Sequence, residues 1–73
     1  MPITKKEVYN LPLFENDQSA IEYFENRSGN NFIIHHVREV LGGQKIYLCY
    51  LLLKNEEKQF VNIFEDGLVK VEF

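Results

Sequence analysis

The residues of this chain whose types invite chemistry are few: adjacent histidines at His35 and His36, a single cysteine at Cys49, and the carboxylate pairs Glu56-Glu57 and Glu65-Asp66. An imidazole beside a thiol can hold it as thiolate and act as its base. Such a reaction also needs a third group to orient the base, an oxyanion-binding turn and a concave pocket, and the sequence marks none of these. The histidines fall in "FIIHHVREVLGGQKIY", residues 32–47, a run with strand character. Neighbouring strand residues point to opposite faces, so the pair is a poor chelate unless a bulge breaks the strand. Both carboxylate pairs lie in loop or turn contexts, where solvated acids and turn-forming Asp are expected for backbone reasons. Gly42-Gly43 leads into a strand rather than a helix, so it is no phosphate cradle. No catalytic residue, metal ligand set or cofactor is assigned. A Cys/His thiol enzyme built on His36 and Cys49 is the weakest of the functional readings.

Composition limits what can position these groups. At 73 residues the chain is one domain, burying only ~60% of the surface its unfolded form exposes. Hydrophobic residues make up 45%, with six Phe and four Tyr, which is too apolar for a disordered chain. One cysteine cannot form an internal disulfide, so a reducing compartment fits best. The opening "MPITKKEVYN" lacks the apolar core of a signal peptide, and the longest apolar run, 46–53, is too short to span a bilayer. The expected location is the cytoplasm, with no membrane association. Net charge is −3, eight Lys and Arg against eleven Asp and Glu, and the basic residues are dispersed. That balance opposes phosphate-dominated binding and makes nucleic acid the minority partner.

Three parts follow along the chain: an arm over 1–14, a helix over 16–29 and a β-meander over 30–73. In the arm, Thr4 and Glu7 have the spacing of a capping box, and Pro12 ends any helix before Leu11. "LPLF" at 11–14 then runs extended against the body. Asn16 or Asp17 supplies the next N-cap and Gly29 the C-terminal stop. Ala20, Ile21 and Phe24 share one helical stripe, away from Glu22, Glu25 and Arg27. Strands are expected over 32–41, 44–53, 58–64 and 68–73, joined by a two-residue turn at Gly42-Gly43, the polar loop 54–58 and a turn at Asp66-Gly67. The expected fold is α+β: one main helix on a four-stranded antiparallel meander, with a short N-terminal helical or extended arm.

Two-residue turns place Leu41 opposite Gln44, hence His35 opposite Tyr50 and His36 opposite Cys49, and they place Phe64 opposite Val69 and Phe60 opposite Phe73. One face then collects Ile33, Val37, Leu41, Ile46, Leu48, Tyr50, Leu52, Phe60, Phe64, Val69, Val71 and Phe73, the expected core beneath the helix. His35 and Asn62 fall on the same face as satisfied polar groups. A one-residue slip at Gly42-Gly43 would exchange the two faces of the first strand.

The other face carries Ile34, His36, Arg38, Val40, Lys45, Tyr47, Cys49, Leu51, Leu53, Gln59, Val61, Ile63, Lys70 and Glu72. A face meant only for water would alternate to polar residues, and this one does not. An apolar centre with a charged rim is the composition of an interaction surface. The arm with Val8, Tyr9, Leu11, Leu13 and Phe14 covers it, a homodimer or other partner does, or it is simply left exposed. The expected function is a small non-catalytic protein-interaction or regulatory module, acting on a protein partner or as a homodimer through Ile34, Arg38, Tyr47, Leu51, Val61 and Ile63, with His36 and Cys49 secondary. The alternative is a single-stranded nucleic-acid-binding sheet that stacks bases on Tyr47 beside Arg38, Lys45 and His36.

Overall fold

The computed structural model describes residues 3–72. The elements are α1 (Lys5–Tyr9), α2 (Asp17–Ser28), a 3-10 turn (Gly29–Asn31), β1 (Phe32–Glu39), β2 (Lys45–Leu52), β3 (Lys58–Phe64) and β4 (Val69–Glu72). The strands form one antiparallel sheet in the order β1-β2-β3-β4. This is the α+β architecture expected from the sequence.

The helix ends follow their caps. Thr4 Oγ1 accepts from the Glu7 amide at 3.3 Å and Asn16 Oδ1 from the Ser19 amide at 2.9 Å, each satisfying a first-turn donor. The Glu7 carboxylate reaches back to the Thr4 backbone N–H, the return half of the expected capping box, and also takes both Nε and Nη2 of Arg27, tying α1 to the last turn of α2. The Arg27 hydrogen bond, with the guanidinium charge, holds the Glu7 carboxyl below its ordinary value. α2 ends at Gly29, at φ 53°.

All three hairpins use three-residue loops. Val40 N–H donates to Gln44 O at 2.9 Å, Leu53 N–H to Glu57 O at 2.8 Å and Phe64 N–H to Leu68 O at 2.9 Å, enclosing residues 41–43, 54–56 and 65–67. The last residue of each loop is left-handed: Gly43 at φ 78°, Glu56 at 70° and Gly67 at 91°. The expected two-residue turns at Gly42-Gly43 and Asp66-Gly67 are therefore corrected. The extra residue slips both outer pairings by one, so that Phe64 faces Leu68 and Ile63 faces Val69. Phe73, expected opposite Phe60, lies outside the described residues; Glu72 takes that place.

The slip moves the outer strands relative to β2 and β3, so that Val37, Val69 and Val71 share a side with Cys49, Leu51, Val61 and Ile63 rather than with Tyr50 and Phe60. Cys49 and Leu51 of β2, Leu53 just after it, and Val61 and Ile63 of β3 are buried under α2 and the arm, packed with Ile3, Val8, Ala20, Ile21, Phe24 and Phe32. Val69, Val71 and Tyr47 pack partly against this cluster. The helix therefore does not bury the expected core face. Ile33, Ile46, Leu48, Tyr50, Leu52, Phe60 and Phe64 lie on the other side, and Leu41 is fully exposed in its turn. Helix and arm share one side, and the face they choose offers Leu51, Val61 and Ile63 to Phe24; each such side chain is worth ~1.5–3 kcal/mol when buried. Phe24 stacks on Phe32 at a centroid separation of 5.4 Å, and Phe14 packs on Tyr23 at 5.4 Å.

The arm is seated on the β3–β4 turn. Asp17 N–H donates to Glu65 O at 3.2 Å, and a Cβ at Gly67 would lie 2.2 Å from the Phe14 carbonyl oxygen and 3.0 Å from the Asn16 amide nitrogen. Gly42 has the same φ of 91° with nothing within 4 Å of its missing Cβ. This pair separates backbone strain from packing. Gly42→Ala should cost ~1–2 kcal/mol, the left-handed penalty alone, whereas Gly67→Ala should cost a further ~1–3 kcal/mol for displaced backbone. Urea unfolding midpoints read both, and equal losses would show that the arm does not rest on this turn.

Candidate functional site

The sheet face opposite α2 is built by register. Across one row lie Arg38, Ile46 and Phe64; across the next, His36, Leu48, Asn62 and Lys70. A third row holds Ile33, Tyr50, Phe60 and Glu72, and a fourth Leu52 and Lys58. The apolar centre is thus the even side of β2 with Phe60 and Phe64 beside it. Phe60 is 44% exposed, Ile33 37% and Leu52 36%. Polar and charged side chains close it in on β1, on β4 and at the far end of β3.

A bulge shapes the β1 side. Pairing passes from Ile34↔Cys49 to His36↔Leu48, leaving His35 as the extra residue. The bulge brings both histidines to the open face, His36 beside Leu48 and His35 near the rings of Tyr50 and Phe60, at centroid distances of 6.0 and 6.4 Å. Tyr50 and Phe60 meet edge to face at 6.2 Å, and Lys58 Nζ lies 4.5 Å from the Tyr50 ring centroid. These three rings and the ammonium form an aromatic cluster on the open surface. His35 is therefore exposed among rings, not a core imidazole.

Of the six contact residues expected from the sequence, Arg38 alone lies on this face. Leu51, Val61 and Ile63 are 0% exposed in the core. Tyr47 is half-buried on the helix side; burial, then the hydrogen bond and charge of Asp17 and the charge of Glu65, push its hydroxyl pKa up. Ile34 also belongs to the helix side, exposed on the outer strand beyond the helix. Sequence reasoning missed Ile33, His35, Leu48, Tyr50, Leu52 and Phe60 as surface residues. Their alternation was visible, but assigning the face needed the loop lengths.

The secondary pair also separates. His36 is opposite Leu48, and Cys49 is opposite Ile34 on the buried side. Cys49 is 1% exposed, and burial pushes its thiol up to about 12. Among the described residues, no group of three or more His, Cys, Asp or Glu side chains is placed to hold a metal ion, and no helix is long and apolar enough to cross a membrane. A shallow, open depression of about 330 Å³ lies between the arm and the β3–β4 turn, lined by Leu11, Pro12, Leu13, Phe14, Asp66, Gly67, Leu68 and Val69, without a nucleophile or base pair.

Comparison with protein-family models, with curated proteins and with solved structures returns no match. The functional argument therefore rests on the open face.

The buried thiol is directly testable. With so little thiolate at pH 8, iodoacetamide should label native Cys49 more than about a hundredfold slower than the same chain in denaturant. Labelling at the rate of a free cysteine under native conditions would mean that β2 does not bury this side chain.

Proposed function

We propose that the chain is a small, non-catalytic protein-interaction or regulatory module that docks its partner on the sheet face opposite α2, in the reducing environment of the cytoplasm. The observation that supports this reading is the composition of that face: Ile33, Ile46, Leu48, Tyr50, Leu52, Phe60 and Phe64 make a continuous apolar and aromatic surface with a charged rim. A sheet face evolved only for water alternates to polar side chains. Aromatic anchors at the centre and polar groups at the edge are the anatomy of a protein interface. The expectation of an apolar sheet-face interface carries over with its faces exchanged, so the docking residues become Ile33, Leu48, Tyr50, Leu52 and Phe60, with Arg38 retained.

A second reading has its own observation. His35, Tyr50 and Phe60 offer three rings on an open sheet beside Lys58, Arg38 and Lys70, the elements of a single-strand stacking platform. Ile33, Ile46, Leu48 and Leu52 are aliphatic and offer no stacking plane, and the net charge of −3 opposes phosphate attraction, so protein is the preferred partner.

Two variants separate surface from core. Leu48→Asp combined with Phe60→Ala should leave the circular dichroism spectrum and two-state unfolding intact while abolishing self-association seen by light scattering, or partner capture by the immobilised chain. Leu51→Asp should instead unfold the domain, because it buries a carboxylate and costs at least about 3 kcal/mol. Unchanged association in the double variant would reject the open face as the docking surface.

A further inference from the structure

The charges of the chain are divided unevenly between its two sides. Among the described residues, Arg38, Lys58 and Lys70 stand on the open face against Glu72 alone, and the Glu72 carboxylate already accepts from Asn62 Nδ2 at 2.8 Å. Eight basic and eleven acidic residues make up the whole. The remainder of the chain therefore carries five basic residues against ten acidic ones, and a protein of net charge −3 presents one face of net charge +2. The three cations surround the apolar centre on different strands, Arg38 on β1, Lys58 at the start of β3 and Lys70 on β4. They form a rim, not a cluster.

From this arrangement we infer that the partner of the open face is a protein segment of opposite design, an apolar or aromatic centre flanked by carboxylates. The inference rests on the reading of that face as a docking surface and adds the chemistry of what it takes. A second copy of the chain is a poor occupant. A two-fold dimer through this face is self-complementary by symmetry, so it would set three cations and one anion against the same set. Like charges juxtaposed across an interface disfavour that pairing, whereas carboxylates from a different chain meet Arg38, Lys58 and Lys70 favourably and speed encounter. The acidic remainder of the chain sharpens the selection, since a basic partner would be drawn to the helix side instead.

The experiment uses the full chain, isotopically labelled, titrated in separate arms with a short peptide alternating Leu or Phe with Glu, the same peptide with Lys for Glu, and an oligothymidylate, with sedimentation equilibrium run in parallel. The acidic peptide should perturb the amides of Ile33, Leu48, Tyr50 and Phe60 and bind at least tenfold more tightly than its lysine counterpart. Arg38→Glu, Lys58→Glu and Lys70→Glu together, all on exposed positions, should reverse that order while the spectrum stays folded. Equal or tighter binding of the lysine peptide at the same amides overturns the acidic partner but leaves the face a docking surface. Tighter binding of oligothymidylate assigns the rings to bases and overturns it in favour of nucleic acid. A dimer that perturbs the same amides overturns it in favour of self-association. No response of this face to either peptide also overturns the acidic partner, and the capture result for Leu48→Asp with Phe60→Ala then decides separately whether the face docks protein at all.

Discussion

Everything in this domain depends on the parity of its hairpin loops. A β-strand alternates its side chains between two faces, so the number of residues in a turn decides which alternate set is carried to the same side as its neighbours. Here each loop holds three residues and ends in a left-handed one, at Gly43, Glu56 and Gly67. That count aligns Tyr47, Cys49 and Leu51 of β2 with Val61 and Ile63 of β3, and with Val69 and Val71 of β4. The result is a face of compact aliphatic side chains on which Phe24 and Ile21 can close. The bulkier and more polar alternates, Tyr50, Phe60, His36, Asn62 and Lys58, are left outside.

Much of the architecture was legible because it depends on local signals. Thr4, Asn16 and Gly29 act at the helix ends where their chemistry suits them, and the four strands sit where branched and aromatic residues are dense. The faces were not legible, for two physical reasons. Gly-Gly and Asp-Gly are equally compatible with two- and three-residue turns, and both sets of alternate residues are apolar enough to form a core, so neither composition nor periodicity chooses between them. The bulge at His35 adds a second change of parity within β1, where nothing in "IIHHV" announces an unpaired residue. An apolar face rimmed by charge was accordingly expected on the side that the helix and arm cover, and the apolar face left exposed is the other one.

The two sides divide the work. On the covered side, the arm, α1 and α2 are joined to one another and to the sheet: Glu7 to Arg27, Ile3 O to Lys54 N–H at 3.0 Å, and the Phe14 carbonyl against Gly67. Gln59, buried at the edge of this core, donates through Nε2 to the Glu72 carbonyl and so ties β3 to the last strand. The open side carries the rings and the cations.

The kink in β1 has a consequence of its own. β1 lies at the rim of the sheet and carries apolar side chains on both of its surfaces, at Ile33, Ile34 and Val37. A straight strand of that kind is a template on which further chains can add without limit, ending in cross-β fibres. The unpaired residue at His35 breaks the even spacing of the rim's outward amides and carbonyls, so an incoming strand can match only a few of them before falling out of step. One irregular residue thereby guards an otherwise aggregation-prone border.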